Sequence, residues 1–363
     1  MTCEIVERKG GTVVKEKKAL DDQKEEQKKL VLLELKRQKE EEDRDTGLDE
    51  KERQLKGLAG GLLAFIYFGY YSGYSSIFGK FLKMSNLVDV DRYGICKEDI
   101  FYCANIVLTM LYVRAQFGLN IGRPLARKFK TLDTAKKRAR FSEQLWGVAM
   151  ALASFTYGMV IIITYPEFFG HVEMWSTYPV LQMPFAIKFY YLYETAFWIS
   201  TLVYLNIEQG RKDWMIMTIH HIFTIGLLVS SYYVHLTSIG LLIHVTMDVA
   251  DIFLPTAKIF KYLDMEKCTN IAFVFVVISW IYSRHFVFLR IIFDSVYMSE
   301  KYIDKRWDPQ NGYYYTENIK WLLVASLCIL EILFCMWLAS MLRIIYDAIR
   351  GKEINDIRSD DED

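Results

Sequence analysis

The chain has 363 residues, of which 52% are hydrophobic and 15% aromatic, and its 44 basic and 44 acidic side chains balance to no net charge. The neutral total indicates no class of partner, and no nucleic-acid partner is expected. The distribution is more informative, because long apolar runs alternate with short charged links. This pattern excludes one large soluble core and is typical of a polytopic membrane protein.

The first 56 residues form a strongly charged segment. Residues 15–56 are rich in Lys, Glu, Gln and Leu and contain no proline. Glu–Lys pairs three or four residues apart each stabilise a helix by about 0.2–0.5 kcal/mol. We therefore expect a solvated helix or a partly disordered tail, with a helix that binds a partner or the membrane surface as the alternative. A charged start of this kind is no cleavable signal peptide, so the first apolar run is expected to direct insertion.

Eight apolar segments then reach the length of about 20 residues that a membrane helix needs. The pattern predicts an all-α, polytopic membrane helix bundle of about eight transmembrane helices behind the charged helical tail. The segments lie near 58–79, 100–118, 143–165, 180–206, 215–235, 237–257, 270–293 and 318–346.

The link 122–140 sets the predicted orientation. It holds eight Lys and Arg residues and a single acid, Asp133. Short links with an excess of basic residues lie on the cytosolic side of a membrane. With eight spans, both termini are then predicted to be cytosolic.

Ionisable side chains interrupt the apolar stretch 220–262. Inserting a carboxylate at the middle of a membrane helix costs about 2.5–3.5 kcal/mol of free energy. Such a residue is therefore retained when it is paired with another group or has a function. We therefore predict a reaction centre here, with structural polar contacts between helices as the alternative. The side chains concerned are His220, His221, His244, Asp248 and Asp251.

Spacing and depth bring these side chains together. His244, Asp248 and Asp251 stand at i, i+4 and i+7 and so share one face of a helix. At 1.5 Å per residue, the two aspartates of this face and the histidine pair lie roughly 8–14 Å from the cytosolic side. We expect the face to point at His220 or His221 across a two-residue turn.

An imidazole beside a carboxylate suits acyl transfer, in which the imidazole removes a proton or attacks an acyl carbon. A membrane di-iron oxygenase needs more histidines than the six in this chain. A zinc ion held by histidine and aspartate lacks a supporting spacing such as HExxH, so no metal site is predicted. A transporter that uses intramembrane carboxylates predicts an internal repeat, and the sequence contains none.

The same stretch resembles the longevity-assurance motif of the TLC-domain ceramide synthases. Its elements are HHIFT at 220–224, then Ser231-Tyr232, Gly240, DVAD at 248–251 and Leu254 with Lys258. Residues 140–146 and the stretch from Tyr190-Tyr191 to RKDW at 211–214 resemble two further elements of the family. Met247 before the first aspartate matches the form associated with its fungal members.

This resemblance implies N-acylation of a sphingoid base by a fatty acyl-CoA, with acyl-CoA as a substrate and no cofactor. The alternative is a non-enzymatic TLC-domain protein that acts as a lipid sensor or a translocation accessory. The implied organisation is a cytosolic tail at 1–56, two transmembrane helices with the basic link at 57–136, a TLC catalytic domain at 137–350 and an acidic tail at 351–363.

The resemblance also implies residue roles. His220, His221, Asp248 and Asp251 are the expected catalytic residues, and either histidine could be the nucleophile. Arg211 and Lys212 are candidates for the CoA phosphates, with a role in topology as the alternative. Arg284 and His285 are expected to line the cavity or to pair with Glu194. The remaining expected substrate contacts are His244, Ser231, Tyr232, Trp146 and Tyr190.

Partners and location follow from the resemblance as well. Membrane lipids surround the chain, and a small single-span regulatory subunit is implied, together with a homodimer or a heterodimer with a paralogue. The expected location is the endoplasmic reticulum membrane.

Overall fold

The structure is a computed structural model that describes residues 27–33, 36, 47, 49–207 and 213–350. Most of the predicted charged tail therefore lies outside the described residues, although residues 27–33 are helical. Arg211, Lys212 and the acidic tail at 351–363 also lie outside them.

The described chain is almost entirely helical. Helix α1 spans 49–71. A π-helical segment at Gly118–Gly122 joins α3 to α4, a second at Ile281–Val287 joins α11 to α12, and a short 3₁₀ turn covers Pro309–Asn311. The other helices are α2 Ser75–Leu82, α3 Asp99–Phe117, α4 Arg123–Ala126, α5 Ala135–Thr164, α6 Pro166–Phe169, α7 Glu173–Ser176, α8 Phe185–Ile207, α9 Trp214–Tyr233, α10 Thr237–Tyr262, α11 Glu266–Trp280, α12 Phe288–Tyr302 and α13 Glu317–Ile349.

Within the described residues, six continuous helices are long and apolar enough to cross a membrane. This confirms the predicted all-α membrane bundle, while the count of eight spans stays a prediction. Helix α8 falls short in hydropathy although it is 23 residues long, and it carries two buried charges. The six are Asp99–Ala126, Ala135–Thr164, Trp214–Tyr233, Thr237–Tyr262, Glu266–Tyr302 and Glu317–Asp347.

The first predicted segment, 58–79, is not one helix. Helix α1 ends at residue 71 and α2 begins at Ser75. Between them Gly73 has a φ of 97°, a left-handed conformation that glycine adopts without a steric penalty. The apolar run is thus divided into a long helix and a short one.

A small sheet was not predicted from the sequence. Strands β1 (Leu87–Asp89), β2 (Arg92–Gly94) and β3 (Gln182–Pro184) form an antiparallel sheet in the order β1-β2-β3. It joins the loop before α3 to the residues before α8, at the predicted outer end of the bundle.

Helix α10 is the central element of the bundle. It packs most extensively against α5 and α11, whereas its contact with α9 is smaller. A three-residue connection, 234–236, separates α9 from α10 in place of the predicted two-residue turn. Gly240 allows α10 to approach α8 closely, since a Cβ atom there would collide with the Tyr191 hydroxyl group. The glycine of the predicted motif therefore has a packing reason.

Candidate active site

Two neighbouring histidines occupy the middle of the site. His220 and His221 lie on α9 and are 7% and 1% exposed. The indole ring of Trp198, from α8, contacts both imidazoles at centroid distances of 5.3 and 5.2 Å. His221 Nδ1 lies 2.7 Å from the Met217 carbonyl oxygen. This contact favours the tautomer with the proton on Nδ1, which leaves Nε2 as the basic nitrogen.

His220 has a different environment. Phe334 and Trp337 of α13 pack against its ring at centroid distances of 5.9 and 5.3 Å. Its Nδ1 atom is buried and has no hydrogen-bond partner in the part of the chain that the structure describes. A buried polar atom without a partner costs about 1–3 kcal/mol, so this nitrogen is a candidate for contact with a bound ligand.

Three helices bring two carboxyl groups to one serine. Ser154 Oγ, from α5, is 2.6 Å from Asp248 Oδ2 and 2.5 Å from Glu194 Oε1. A hydroxyl group has one hydrogen, so it cannot donate fully to both carboxyl groups, and a proton on one of them would satisfy the second contact. His244 Nδ1 is 4.0 Å from the second oxygen of Glu194. The cluster can thus exchange protons with a ligand.

Asp251 forms an ion pair with Arg284, at 2.5 Å. Arg284 therefore pairs with Asp251 and not with Glu194, and it lines the cavity as expected. Its guanidinium carbon lies 4.2 Å from the centroid of the Trp280 ring. Its Nε atom is buried without a partner among the described residues. Arg284 belongs to the π-helical segment Ile281–Val287, a type of irregularity that is frequent at functional sites.

Two cavities meet at this cluster. A polar cavity of about 1510 Å³ extends toward Glu143 in the first half of α5 and Lys258 near the end of α10. This volume includes the open space at the mouth of the cavity. An apolar cavity of about 890 Å³, a volume that also includes the open space at its mouth, extends the other way, toward Trp175 and Tyr315. The side chains that line both cavities are Trp198, His220, Asp251 and Arg284.

Four other predicted substrate contacts lie near this junction. Trp146 lines the polar cavity, and Ser231 and His244 line the apolar one. The Ser231 hydroxyl group is 2.5 Å from the hydroxyl group of Tyr191. Tyr190 reaches the cluster through Ser154, with its hydroxyl oxygen 3.2 Å from Ser154 Oγ.

Two predicted contacts lie away from both cavities. Tyr232 donates a hydrogen bond to Asp99, at 2.8 Å, and His285 Nδ1 is 2.6 Å from Glu331 Oε1. Consecutive side chains on a helix point in different directions, so Arg284 can face the cavity while His285 faces α13. A role for Arg211 and Lys212 stays a prediction, because neither residue is described.

The sequence did not identify two residues of the site. Trp198 and Ser154 are an ordinary aromatic and an ordinary hydroxyl residue within apolar helices, and neither has a distinctive spacing. Glu194 did carry a signal, since a carboxylate in an apolar segment is rare unless it is paired or used.

Residues 140–343 match the family model described as the TLC domain. The chain is 31% identical to the sphingosine N-acyltransferase-like protein FUM17 of Gibberella moniliformis, over 79% of this chain and 76% of that protein. It is 30% identical to the sphingosine N-acyltransferase lac1 of Schizosaccharomyces pombe, over 75% and 71% of the two chains. It is also 30% identical to the ceramide synthase LAG1 of Saccharomyces cerevisiae, over 77% and 69%.

Proposed function

The chain belongs to the TLC-domain family, and from this membership we propose that it is a ceramide synthase. The reaction is the N-acylation of a sphingoid base, dihydrosphingosine or phytosphingosine, by a fatty acyl-CoA. The observation that carries the proposal is the paired histidines at the junction of a polar and an apolar cavity, beside Asp248 and Asp251. A soluble thioester and a membrane lipid can meet at such a junction.

The two cavities suit the two ends of the acyl donor. The apolar cavity runs along α13 from Phe334 to Leu323, which is about 16 Å at 1.5 Å per residue. This length accommodates a long acyl chain. The polar cavity, with Arg114 and Lys258 among its lining residues, suits the polar part of CoA. The thioester carbon then lies at the junction, beside His220.

We assign the nucleophile to His220, because it lines both cavities whereas His221 lines the polar one alone. An imidazole nitrogen of His220 attacks the thioester carbon, the carbon–sulfur bond breaks, and CoA leaves as a thiolate that takes up a proton. An acyl-imidazole remains. The amine of the sphingoid base then attacks the same carbon, and the bond to the imidazole breaks as the amide forms.

The proton released by the amine needs an acceptor. His221, whose Nδ1 is held by the Met217 carbonyl oxygen, offers Nε2 as a base. The Ser154, Asp248 and Glu194 cluster bears negative charge and shared protons, so it suits the ammonium form of the incoming base.

Arg284 is suited to donate a hydrogen bond to the carbonyl oxygen of the thioester. Its contact with Asp251 fixes the guanidinium group, and its Nε atom is buried without a hydrogen-bond partner among the described residues. A fixed donor in a site that excludes water stabilises the charge that develops on a carbonyl oxygen during acyl transfer. We therefore place Arg284 as the oxyanion donor and Asp251 as the residue that positions it.

The test is ceramide formation by the purified full-length protein from dihydrosphingosine and acyl-CoA of varied chain length. The His220→Ala/His221→Ala double variant should form no product. His171→Ala is the matched control, because His171 is an exposed histidine that contacts Asp294 and lines neither cavity. Absence of product from the wild-type protein, both purified and in crude membranes, would contradict the assignment and favour a non-enzymatic lipid sensor.

A second measurement separates covalent from direct attack. With acyl-CoA alone, the wild-type protein should acquire an acyl group that hydroxylamine removes, as seen by mass spectrometry of the intact protein. His221→Ala should keep this label, while His220→Ala should lose it. An unlabelled wild-type protein that still forms ceramide would make His220 a general base for direct attack by the amine.

Location and assembly belong to the same proposal. We place the protein in the endoplasmic reticulum membrane with both termini cytosolic, supported by the eight basic residues of link 122–140. Terminal tags should then be accessible to protease in sealed microsomes. We also propose a single-span regulatory subunit and a dimer, which affinity purification from native membranes under mild detergent tests.

A further inference from the structure

Three metal-ligating side chains cluster away from the proposed active site. His285, from the π-helical segment, faces Glu331 and Cys335, which stand at i and i+4 on α13. His285 Nδ1 is 2.6 Å from Glu331 Oε1, and Cys335 Sγ is 3.8 Å from the same oxygen. One ligand atom from each residue lies within 4.8 Å of the other two. None of the three residues lines either cavity.

Hydrogen bonds between the three residues leave two buried atoms unused. The side chains of His285 and Glu331 are 14% and 12% exposed. His285 Nε2 and Glu331 Oε2 are buried and have no hydrogen-bond partner in the described part of the chain. Membrane interiors supply no water to satisfy such atoms. A simple histidine–glutamate pair therefore accounts for only part of the cluster.

We propose that His285, Glu331 and Cys335 bind a divalent transition-metal ion, with Zn²⁺ as the best fit. Imidazole, carboxylate and thiolate ligands bind Zn²⁺ at about 2.0–2.3 Å, which places two ligands of one tetrahedral ion about 3.3–3.8 Å apart. The ligand atoms of the cluster lie within 4.8 Å of one another, so the widest pair must close by up to about 1 Å when the ion binds. The second Glu331 oxygen, which has no other partner, is available as a fourth donor.

Charge balance favours this occupant within a membrane. A neutral imidazole, a carboxylate and a thiolate carry two negative charges, which one divalent cation neutralises. Binding releases the thiol proton of Cys335, which leaves with the water that the metal ion sheds on binding. The resulting site has no net charge, whereas an isolated charge in the bilayer is expensive. The metal ion would also join the π-helical segment that carries Arg284 to α13.

Cobalt is the probe for this site, because a thiolate-bound Co²⁺ ion has an intense charge-transfer band and a tetrahedral one has visible bands. The full-length protein is purified in detergent with an affinity tag that lacks histidine, treated with a chelator and titrated with Co²⁺ alone. A single equivalent should produce both sets of bands, and Zn²⁺ should remove them.

Variants assign the ligands. Cys335→Ser should abolish the charge-transfer band, and His285→Gln should abolish the visible tetrahedral bands. Cys328→Ser is the matched control, because Cys328 is an exposed cysteine seven residues earlier on the same helix. It should bind Co²⁺ as the wild-type protein does. Thermal unfolding of each metal-free variant checks that it is folded.

Two results would overturn the proposal. One is a wild-type protein without cobalt bands, and the other is a band that persists in Cys335→Ser. Either would reduce the cluster to a hydrogen-bonded pair with a neighbouring thiol. Both are read from the spectrum without substrate, so they are independent of whether the chain makes ceramide.

Discussion

Two buried groups of charged side chains differ in how completely their atoms are paired. In the outer group, Lys188 and Asp99 are 0% and 1% exposed and lie 2.7 Å apart. Lys188 Nζ also donates to the carbonyl oxygens of Ser85 and Gly94, at 2.9 and 2.7 Å. Asp99 accepts further hydrogen bonds from Tyr232 and from a backbone amide. In the inner group, by contrast, His220 Nδ1 and Arg284 Nε are buried without partners among the described residues.

This contrast separates a structural group from a reactive one. Lys188 donates two hydrogen bonds to backbone carbonyl oxygens and forms an ion pair with Asp99, so it joins α8 to α3 and to the small sheet. Neither residue lines the polar or the apolar cavity. The inner group lines two cavities and keeps unused donor and acceptor atoms. Charge within a membrane segment therefore does not by itself indicate catalysis, and the unpaired atoms at a cavity are the more specific sign.

The largest effect should come from the inner group. Arg284→Lys keeps a positive charge beside Asp251 but loses the fixed donor that we propose for the thioester oxygen. We expect kcat to fall about 10²–10³-fold, with little change in thermal unfolding. Arg290→Lys is the control, since Arg290 is exposed, contacts Asp294 and His171, and lines neither cavity. Equal kcat values for the two variants would show that Arg284 takes no part in the reaction.

Breaking the outer group should instead reduce stability. Lys188→Met leaves the carboxylate of Asp99 buried without its counter-charge, which destabilises a protein by about 3–5 kcal/mol. We expect a lower unfolding temperature and less folded protein, while KM of the folded fraction is unchanged. The double variant Lys188→Met/Asp99→Leu should recover more than half of the loss. A changed KM would place Lys188 near the substrate and weaken the contrast.

The contrast between the outer and inner groups can be tested at Tyr232, a residue that the sequence assigned to substrate binding. Tyr232→Phe removes the hydrogen bond to Asp99 and should cost about 1–3 kcal/mol in the free energy of unfolding. The rate per folded molecule should stay at the wild-type value. Ser231→Ala, one position earlier and on the wall of the apolar cavity, should change the acyl-chain preference. If Tyr232→Phe lowered the rate per folded molecule and Ser231→Ala left the acyl-chain preference unchanged, Tyr232 would be a substrate contact.

The smallest effect should come from an exposed ion cluster at the end of α12. Hydrogen bonds from Lys305 and Lys320 lower the pKa of Glu300 from 4.5 to about 2. Because the pKa is lower in the folded protein, this contribution to stability is complete above pH 4.5 and is lost as the pH falls toward 2. The unfolding temperature of Glu300→Gln should therefore differ from wild type by a constant amount between about pH 6 and 8.

At acidic pH the two proteins should converge, because the wild-type carboxylate also loses its charge. Thermal unfolding of both proteins over a pH series measures this. A difference that stays constant down to pH 3 would exclude Glu300 as the titrating group.

Local patterns were sufficient for the elements of the bundle. Helices occur at every predicted apolar segment, and the spacing of His244, Asp248 and Asp251 places them on one side of α10. Periodicity defines a helix and its faces because both depend on the residues of that helix alone. The break at Gly73 was missed, although Ser72 and Gly73 form a pair that is typical of turns.

The chain's own sequence determined its class and the order of its helices, and it predicts the side of the membrane on which the basic links lie and the depth of the ionisable side chains. Only the tertiary structure decided which side chains meet: Ser154 and Glu194 at Asp248, Arg284 at Asp251, and His285 at Glu331. The physical reason is that each of these contacts joins helices distant in sequence. Their partners depend on how all the helices pack together, and no local spacing encodes that arrangement.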